Sequence, residues 1–146
     1  MRVARVRRYG PPENVEVVEV PQPHPRAGEV LVRVTAAPVT SGDARIRAAR
    51  FPPGFAVPGR LALGLRGPRN PVLGAAFAGT VVAAGGPAGA GWVGERVAGM
   101  TGARMGCHGE FVRVPVTRLV RTPDAVTDED AAAALFGGTT AEHFLT

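Results

Sequence analysis

Short runs of alternating apolar and polar residues recur along the chain and predict β-strands rather than long helices. The clearest run is 30–37, where Val32 and Val34 share one face of an extended strand while Arg33 and Thr35 share the other. Glycines and prolines separate the runs, a spacing that is typical of an antiparallel, barrel-like sheet. Further strands are predicted at 3–9, 15–20, 72–84, 93–99, 110–114 and 118–121.

Two segments carry helix signals instead. Residues 43–50 predict a short basic helix. Thr127 precedes three acidic residues and a run of alanines, so a capping hydroxyl and negative charges meet the positive end of a helix dipole. We expect this second helix to be interrupted at Gly137–Gly138 and to restart at Thr139. The predicted fold class is therefore mainly β, with a few short helices.

Residues 51–71 are too rich in proline and glycine for regular structure and predict a loop. A loop of that length in a compact domain usually covers a binding site, so we interpret it as a lid. We divide the chain into a main domain at 1–126 and a helical segment at 127–146.

The single cysteine, Cys107, excludes an internal disulfide and a zinc cluster built from cysteines. A reducing, cytoplasmic setting is the simplest interpretation. The amino terminus lacks the apolar stretch of an export signal, and no apolar run approaches the length of a membrane span. We therefore expect no membrane contact.

The formal net charge is +5, and every basic residue other than histidine is arginine. The absence of lysine excludes Schiff-base chemistry and a phosphate-loop lysine. Apart from the four arginines in residues 2–8, the arginines are dispersed, and one Tyr and one Trp offer few surfaces on which bases could stack. Solvated strand faces explain these charges better, so we expect no nucleic-acid partner.

Residues 89–94 read Gly-Ala-Gly-Trp-Val-Gly, the glycine spacing that binds a dinucleotide pyrophosphate at the start of a helix. Residues 95–102, however, have β-like apolar positions and two more glycines instead of a helix-forming run. We therefore predict a turn at 89–94, with Trp92 packed beside it.

Longer motifs follow one another in a distinctive order: PVLGAAFAGTVVAAG at 71–85, VGERVAG at 93–99, MGCHGEFVRVP at 105–115 and AAALFGGTTAEHFL at 132–145. Together with the opening 8–47, they resemble the medium-chain dehydrogenase/reductase superfamily, and most closely its zinc-independent quinone oxidoreductase branch. The resemblance covers only the amino-terminal, GroES-like catalytic domain and implies a partly open antiparallel β-barrel. In the full enzymes a nucleotide-binding Rossmann domain follows.

The resemblance also implies that this chain binds no metal. Zinc-dependent relatives carry a cysteine where this chain has Thr40, and a Gly-His-Glu motif where it has Gly74, Ala75 and Ala76. Zinc needs three or four converging ligands. No cofactor is expected on this chain alone, and NADPH only with a partner Rossmann domain.

Candidate site residues follow from the same resemblance. Thr40 and Asp43 are candidate catalytic groups that orient a carbonyl oxygen or accept a proton, with Ser41 and Arg45 as substrate contacts. The alternative is that Thr40, Ser41 and Asp43 only cap the short helix.

Cys107 and His108 point to opposite faces of an extended strand, so we do not expect a thiolate–imidazole pair. His108 is a candidate proton donor, because imidazole titrates near neutrality, and Cys107 a candidate substrate contact.

Three side chains are candidates for an apolar pocket wall, although ordinary core packing is equally compatible with them: Phe51, Phe55 and Met105. Thr139 and Thr140 resemble the family's contact with the nicotinamide and are the candidate cofactor-binding residues.

Three functions remain open. The first is a truncated reductase-type domain that binds a small apolar carbonyl, enone or polyketide-like substrate in secondary metabolism, with redox chemistry only beside a separately encoded Rossmann partner. The second is a stand-alone, cofactor-independent cyclase, dehydratase or isomerase. The third is a non-catalytic binding or assembly module. A domain without its docking partner exposes apolar surface, so we also expect self-association, most simply into a dimer.

Overall fold

The computed structural model describes residues 1–145 and consists mainly of antiparallel sheet. Its strands are β1 (Arg2–Val6), β2 (Val15–Glu19), β3 (Glu29–Ala36), β4 (Ala76–Ala84), β5 (Arg96–Met100), β6 (Phe111–Pro115) and β7 (Leu119–Arg121). β1 and β2 form a hairpin, and the other five strands form one sheet in the order β6-β3-β4-β5-β7. Within residues 1–145 the edge strands β6 and β7 do not pair with each other, which confirms the predicted partly open barrel.

Within the described residues, four α-helices flank the strands. They are α1 (Ser41–Arg47), α2 (Ala56–Leu63), α3 (Pro87–Ala90) and α4 (Asp128–Leu145). No helix in the described part of the chain has the length and apolar character needed to cross a membrane.

The alternation predicted in β3 is present in its second half. Val32 is fully buried and Val34 half-buried, whereas Arg33 and Thr35 are exposed. In the first half, residues 29–32, the side chains on both faces are buried, and β3 is a central strand paired with β4 and β6. The main core forms around this strand and includes Val30, Val32, Phe77, Val81, Val97, Cys107, Val112, Val114 and Leu119.

The predicted interruption of the last helix is wrong. α4 runs continuously through Gly137–Gly138. Glycine in a helix interior costs only about 1 kcal/mol relative to alanine, which is too little to end a long helix. The helix is also held against the sheet, since Ala132 is buried with Ala78 and Ala98.

The prediction of no regular structure at 51–71 is also wrong, because α2 lies within it. Pro58 occupies the first turn of α2, where the missing N–H would have had no partner in the helix. Gly59 lies so close to the Phe51 ring that a Cβ would approach it to 2.7 Å. The segment packs on the residues after β1, where the Tyr9 hydroxyl donates to the carbonyl of Gly64 at 2.8 Å.

Candidate functional site

Helix α1 begins after Thr40, whose side chain caps it. The Oγ1 of Thr40 accepts a hydrogen bond from the backbone N–H of Asp43 at 3.3 Å, and Oδ2 of Asp43 accepts one from the backbone N–H of Thr40 at 2.8 Å. This capping box satisfies two N–H groups that a helix start leaves free. The helix therefore starts at Ser41, two residues before the predicted start.

The Asp43 carboxylate also joins α1 to the segment before β4. Its Oδ2 accepts a further hydrogen bond from the Thr40 hydroxyl at 2.7 Å, and its Oδ1 accepts one from the backbone N–H of Gly74 at 3.1 Å. Asp43 is only 6% exposed, so these donors replace the water that an exposed carboxylate would bind. The geometry favours the capping alternative for Asp43, since both oxygens are occupied.

His108 is held beside Gly74 on the same side of the molecule. Its Nε2 lies 3.1 Å from the carbonyl oxygen of Pro38. Because a carbonyl only accepts, Nε2 carries the proton in this arrangement and Nδ1 is the nitrogen left to contact a ligand. Gly74 has a φ of +86°, and a Cβ there would lie 2.5 Å from Cδ2 of His108, so the imidazole ring needs glycine at this position.

Cys107 turns into the core, with its Sγ 3.5 Å from Oγ1 of Thr101. Burial raises the pKa of the Cys107 thiol to about 11; the hydrogen bond with Thr101 opposes this rise, and the charge of Asp43 adds to it. A thiol with so high a pKa is protonated at neutral pH and is a poor nucleophile. This agrees with the expectation that Cys107 and His108 form no thiolate–imidazole pair.

An apolar cleft of about 620 Å³ lies between α1 and the β1–β2 hairpin. Its volume is in the range of small-molecule sites. Three ionisable side chains reach it besides the buried thiol, namely Asp43, Arg47 and His108. Its apolar wall includes Ala4, Val6, Val15, Val34, Val39 and Leu73.

Of the predicted site residues, the structure brings Asp43, Cys107 and His108 to the cleft. Thr40 is beside it through its contacts with Asp43. Ser41 and Arg45 are exposed on α1 and do not line the cleft. Their roles in binding stay predictions.

The aromatic and methionine side chains predicted to form the pocket wall do not meet in the cleft. Phe51 packs against α2, and Phe55 is 63% exposed just before that helix. Met105 lines a different cavity. None of the residues that line the cleft belongs to 51–71, so the function of that segment as a lid stays a prediction.

Thr139 and Thr140 are exposed on α4. Their hydroxyls donate to the carbonyls of Leu135 and Phe136 one turn earlier, the latter at 2.6 Å. Both oxygens keep lone pairs for a further donor. Their contact with a nicotinamide stays a prediction.

Comparison with known protein families identifies the family to which this fold belongs. Residues 26–124 match the family described as the alcohol dehydrogenase GroES-like domain, which is more than half of the chain. The chain belongs to this GroES-like family. The predicted membership of the medium-chain dehydrogenase/reductase superfamily is thereby confirmed, and quinone oxidoreductases recur among the solved structures with the same fold.

Relatives of this GroES-like domain are much longer proteins. The chain is 31% identical over 137 residues to a mycocerosic acid synthase-like polyketide synthase of Mycobacterium tuberculosis, covering 94% of this chain and 6% of that protein. It is 30% identical over 133 residues to a zinc-type alcohol dehydrogenase-like protein of Schizosaccharomyces pombe, covering 88% of this chain and 36% of that protein. A mycobacterial protein solved in complex with NADPH is 30% identical, with a TM-score of 0.78. The match covers 100% of this chain and 41% of that protein.

The glycine stretch at 89–94 is a turn in this GroES-like domain, as predicted. It begins in α3, which has four residues, and ends at Gly94 with a φ of +90° before β5. Trp92 packs against the core, and the guanidinium of Arg121 lies 4.5 Å from the centre of its ring. No pyrophosphate-binding helix follows these glycines.

Within residues 1–145, no three His, Cys, Asp or Glu side chains come together as a metal site would require. Ala75 and Ala76 stand at the start of β4, and neither side chain can be a ligand. Zinc independence itself stays a prediction.

Most residues that line the cleft were not predicted as site residues, and Arg47 is the ionisable one among them. Arg47 lines it while donating from Nη1 to the carbonyl of Gly10, and its own carbonyl accepts from the N–H of Gly10 at 2.9 Å. The sequence contains a pattern that could have identified it, because Arg47 follows Asp43 by four residues and the two share one helix face.

Proposed function

We propose that this GroES-like domain binds the substrate of a zinc-independent reductase, a small apolar carbonyl, enone or polyketide-like molecule of secondary metabolism. The observation that carries the proposal is the apolar cleft with Arg47 and His108 in its wall. A mainly apolar pocket with a few polar groups binds a molecule by burial and orients it by hydrogen bonds.

The two polar groups have complementary chemistry. The guanidinium of Arg47 is always charged, and its remaining N–H groups donate to a carbonyl oxygen. The free Nδ1 of His108 accepts a proton or, once protonated, delivers one. In the proposed mechanism, Arg47 orients and polarises the carbonyl, and His108 moves the proton.

NADPH does not fit the described residues by themselves. The glycine turn at 89–94 leads into a strand rather than into a helix that could bind the pyrophosphate. We therefore propose that hydride chemistry occurs only when a Rossmann domain holds NADPH beside the cleft. The mycobacterial relative solved with NADPH supports this proposal, because this chain covers only 41% of its length.

The substrate class has separate support. Over 94% of its length the chain resembles part of a polyketide synthase-like protein. A flexible acyl or polyketide chain is largely apolar with isolated carbonyl groups, which is the chemistry that the cleft wall and Arg47 offer together.

A partner protein is proposed on the apolar surface of α4. Phe136, Phe144 and Leu145 are exposed there, at 45%, 80% and 85%. Phe144 and Leu145 are adjacent, and a contiguous exposed apolar patch marks an interaction surface. A second copy of the chain or a Rossmann domain would cover them.

One observation favours a second candidate function. The cleft already combines an apolar wall with a guanidinium and an imidazole within residues 4–109. Arg47 and His108 would then suffice for proton-transfer chemistry, as in a cofactor-independent isomerase, cyclase or dehydratase.

Amide NMR titrations with carvone, an apolar enone, and limonene, the related hydrocarbon without a carbonyl, test the proposal. We expect carvone to shift signals of Val6, Val15 and Arg47 and to bind more tightly than limonene. Ala44→Phe, which fills the cleft from an exposed helix position, should abolish this binding, while Ala133→Phe on the exposed side of α4 should not. Equal binding of both compounds, or no shifts at the cleft, would contradict the proposal.

The cofactor is tested in the same preparation. We expect no binding of NADPH to the chain alone at millimolar concentration. Conversion of carvone to its isomer carvacrol without a cofactor would support the second candidate, whereas reduction of carvone only after addition of a Rossmann domain and NADPH would support the first.

A further inference from the structure

A second cavity, of about 470 Å³, lies on the other side of the segment 105–109. Met105 and Gly106 line this cavity, while Cys107, His108 and Gly109 line the cleft. Most of its wall is apolar, from Val72, Met105, Phe111 and Val112. Its volume also lies in the range of small-molecule sites. Nothing in the proposed substrate chemistry uses it.

Two guanidinium groups reach this cavity, those of Arg104 and Arg113. Both pair with the Glu29 carboxylate, Nη1 of Arg104 with Oε1 at 3.2 Å and Nε of Arg113 with Oε2 at 3.0 Å. Two permanent positive charges therefore face one negative charge. One positive charge is left uncompensated within this group of three side chains.

Hydrogen-bond donors remain available on both arginines. Arg104 donates from Nη1 to Glu29, and Arg113 donates from Nη1 to the carbonyl of His24 at 3.4 Å while its Nε forms the ion pair with Glu29. In the described part of the chain, Nη2 of each has no acceptor. A guanidinium binds a carboxylate or phosphate through such paired N–H groups.

The wall that carries Arg104 is held in a defined conformation. The side-chain amide of Asn70 donates to the carbonyl of Arg104 at 3.0 Å. Met105 has a φ of 51° and a ψ of −151°, a region that residues other than glycine rarely adopt. Such strained residues are found where the surroundings hold a wall for a ligand, and Met105 lines this cavity.

We propose that this cavity is a second binding site, for a small organic anion with an apolar tail. The anionic group would lie against Nη2 of Arg104 and Arg113, and the tail against Val72, Met105 and Phe111. This inference is independent of the proposed function, since the two sites share only the backbone of 105–109.

Octanoate tests the proposal, with octanol as an uncharged probe of the same chain length. In amide NMR titrations we expect octanoate to shift Val72, Gly106 and Val112, and to bind more weakly as salt is added. Octanol should leave these signals unchanged. Equal affinity for both probes, shifts confined to the cleft, or no binding of octanoate would overturn the proposal.

Substitutions of single arginines distinguish binding in this cavity from non-specific attraction of an anion to the positively charged surface. Arg104→Gln and Arg113→Gln should each weaken octanoate binding by about tenfold or more, because each removes a hydrogen bond to a charged group. Arg66→Gln, an exposed arginine outside the cavity, is the matched control and should bind as the unmodified chain does.

Two of the variants already described make the test decisive. The Arg104 side chain is 62% exposed, so Arg104→Gln should fold even where Arg113→Gln does not. Unchanged octanoate affinity in Arg104→Gln would overturn the proposal. Ala44→Phe should block carvone but not octanoate, so failure at one site is distinguishable from failure at the other.

Discussion

Replacing Asp43 with asparagine tests whether this carboxylate stabilises the fold by joining α1 to the segment before β4. The substitution keeps the shape of the side chain and removes one acceptor oxygen and the charge. Asp43 now accepts from the N–H and hydroxyl of Thr40 on one oxygen and from the N–H of Gly74 on the other. An amide has only one oxygen, so whichever way it turns, its NH₂ group faces a backbone N–H.

The expected cost follows from these contacts. One hydrogen bond is lost, which leaves a nearly buried N–H without a partner and costs roughly 1–3 kcal/mol; the remaining hydrogen bonds no longer go to a charged group, which costs about 1 kcal/mol more. We therefore expect Asp43→Asn to lower the free energy of unfolding by about 2–4 kcal/mol, and the melting temperature by roughly 10 °C. Urea unfolding followed by circular dichroism measures the first, and a thermal scan the second.

The chain contains its own matched control. Thr127 and Asp130 repeat the same spacing at the start of α4, with the Asp130 carboxylate accepting from the Thr127 hydroxyl at 2.8 Å. Both residues are exposed, so water can replace the lost contact. Asp130→Asn should cost less than about 1 kcal/mol. Equal losses in the two variants would refute the argument that burial and the bond to Gly74 make Asp43 structurally essential.

Three further predictions concern the same region and its supports. The pKa of the Cys107 thiol rises from 9.0 to about 11 on folding, so the folded state holds this proton more tightly; the resulting stability is complete below pH 9 and lost by pH 11. This pKa difference corresponds to about 3 kcal/mol of unfolding free energy, which urea titrations at several pH values measure. Cys107→Ala should lack that part of the pH dependence. The same pH dependence of unfolding free energy in Cys107→Ala as in the unmodified chain would contradict the prediction. Ala49 follows α1 with a φ of 50°, so Ala49→Gly should raise the free energy of unfolding by about 0.5–1 kcal/mol. Ala133→Gly inside α4 should lower it by about 1 kcal/mol, and a decrease in both variants would show that Ala49 is not strained. Gly74→Ala should lower the melting temperature strongly because its Cβ would collide with His108, while Gly91→Ala, with nothing within 4 Å, should change it little; similar melting temperatures would contradict the collision.

Much of the fold was predictable because its strands carry local signals. Alternation in β3 and the capping residue Thr127 both have direct structural counterparts, since each depends on only a few neighbouring residues. The helix α2 was not predictable in this way. Its first turn contains Pro58 and its end is Gly64, residues that usually indicate loops, and its packing against Tyr9 comes from a distant part of the chain.

The site was only partly predictable for a similar reason. The sequence identifies Asp43 and His108 as chemically capable, but not that Gly74 and Pro38 occupy several of their polar atoms. Those contacts cross 31 and 70 residues of sequence, so no local pattern reports them. Arg47 was not predicted, although its helical spacing from Asp43 is visible in the sequence. The resemblance implied Arg45 as the substrate contact instead.

In the proposed function, ligand binding and hydride transfer depend on different parts of the protein, and this difference allows the two candidate functions to be told apart by experiment. Residues of the hairpin, α1 and neighbouring segments line the cleft, so in both candidate functions apolar burial and the donors of Arg47 would bind the ligand. Hydride transfer requires a nicotinamide to be held against the substrate, and the glycine turn that leads into β5 cannot provide that support. Tight carvone binding without NADPH would therefore be compatible with both candidates. Only the product made in the absence of NADPH distinguishes a substrate-binding half of a reductase from an enzyme that uses Arg47 and His108 alone.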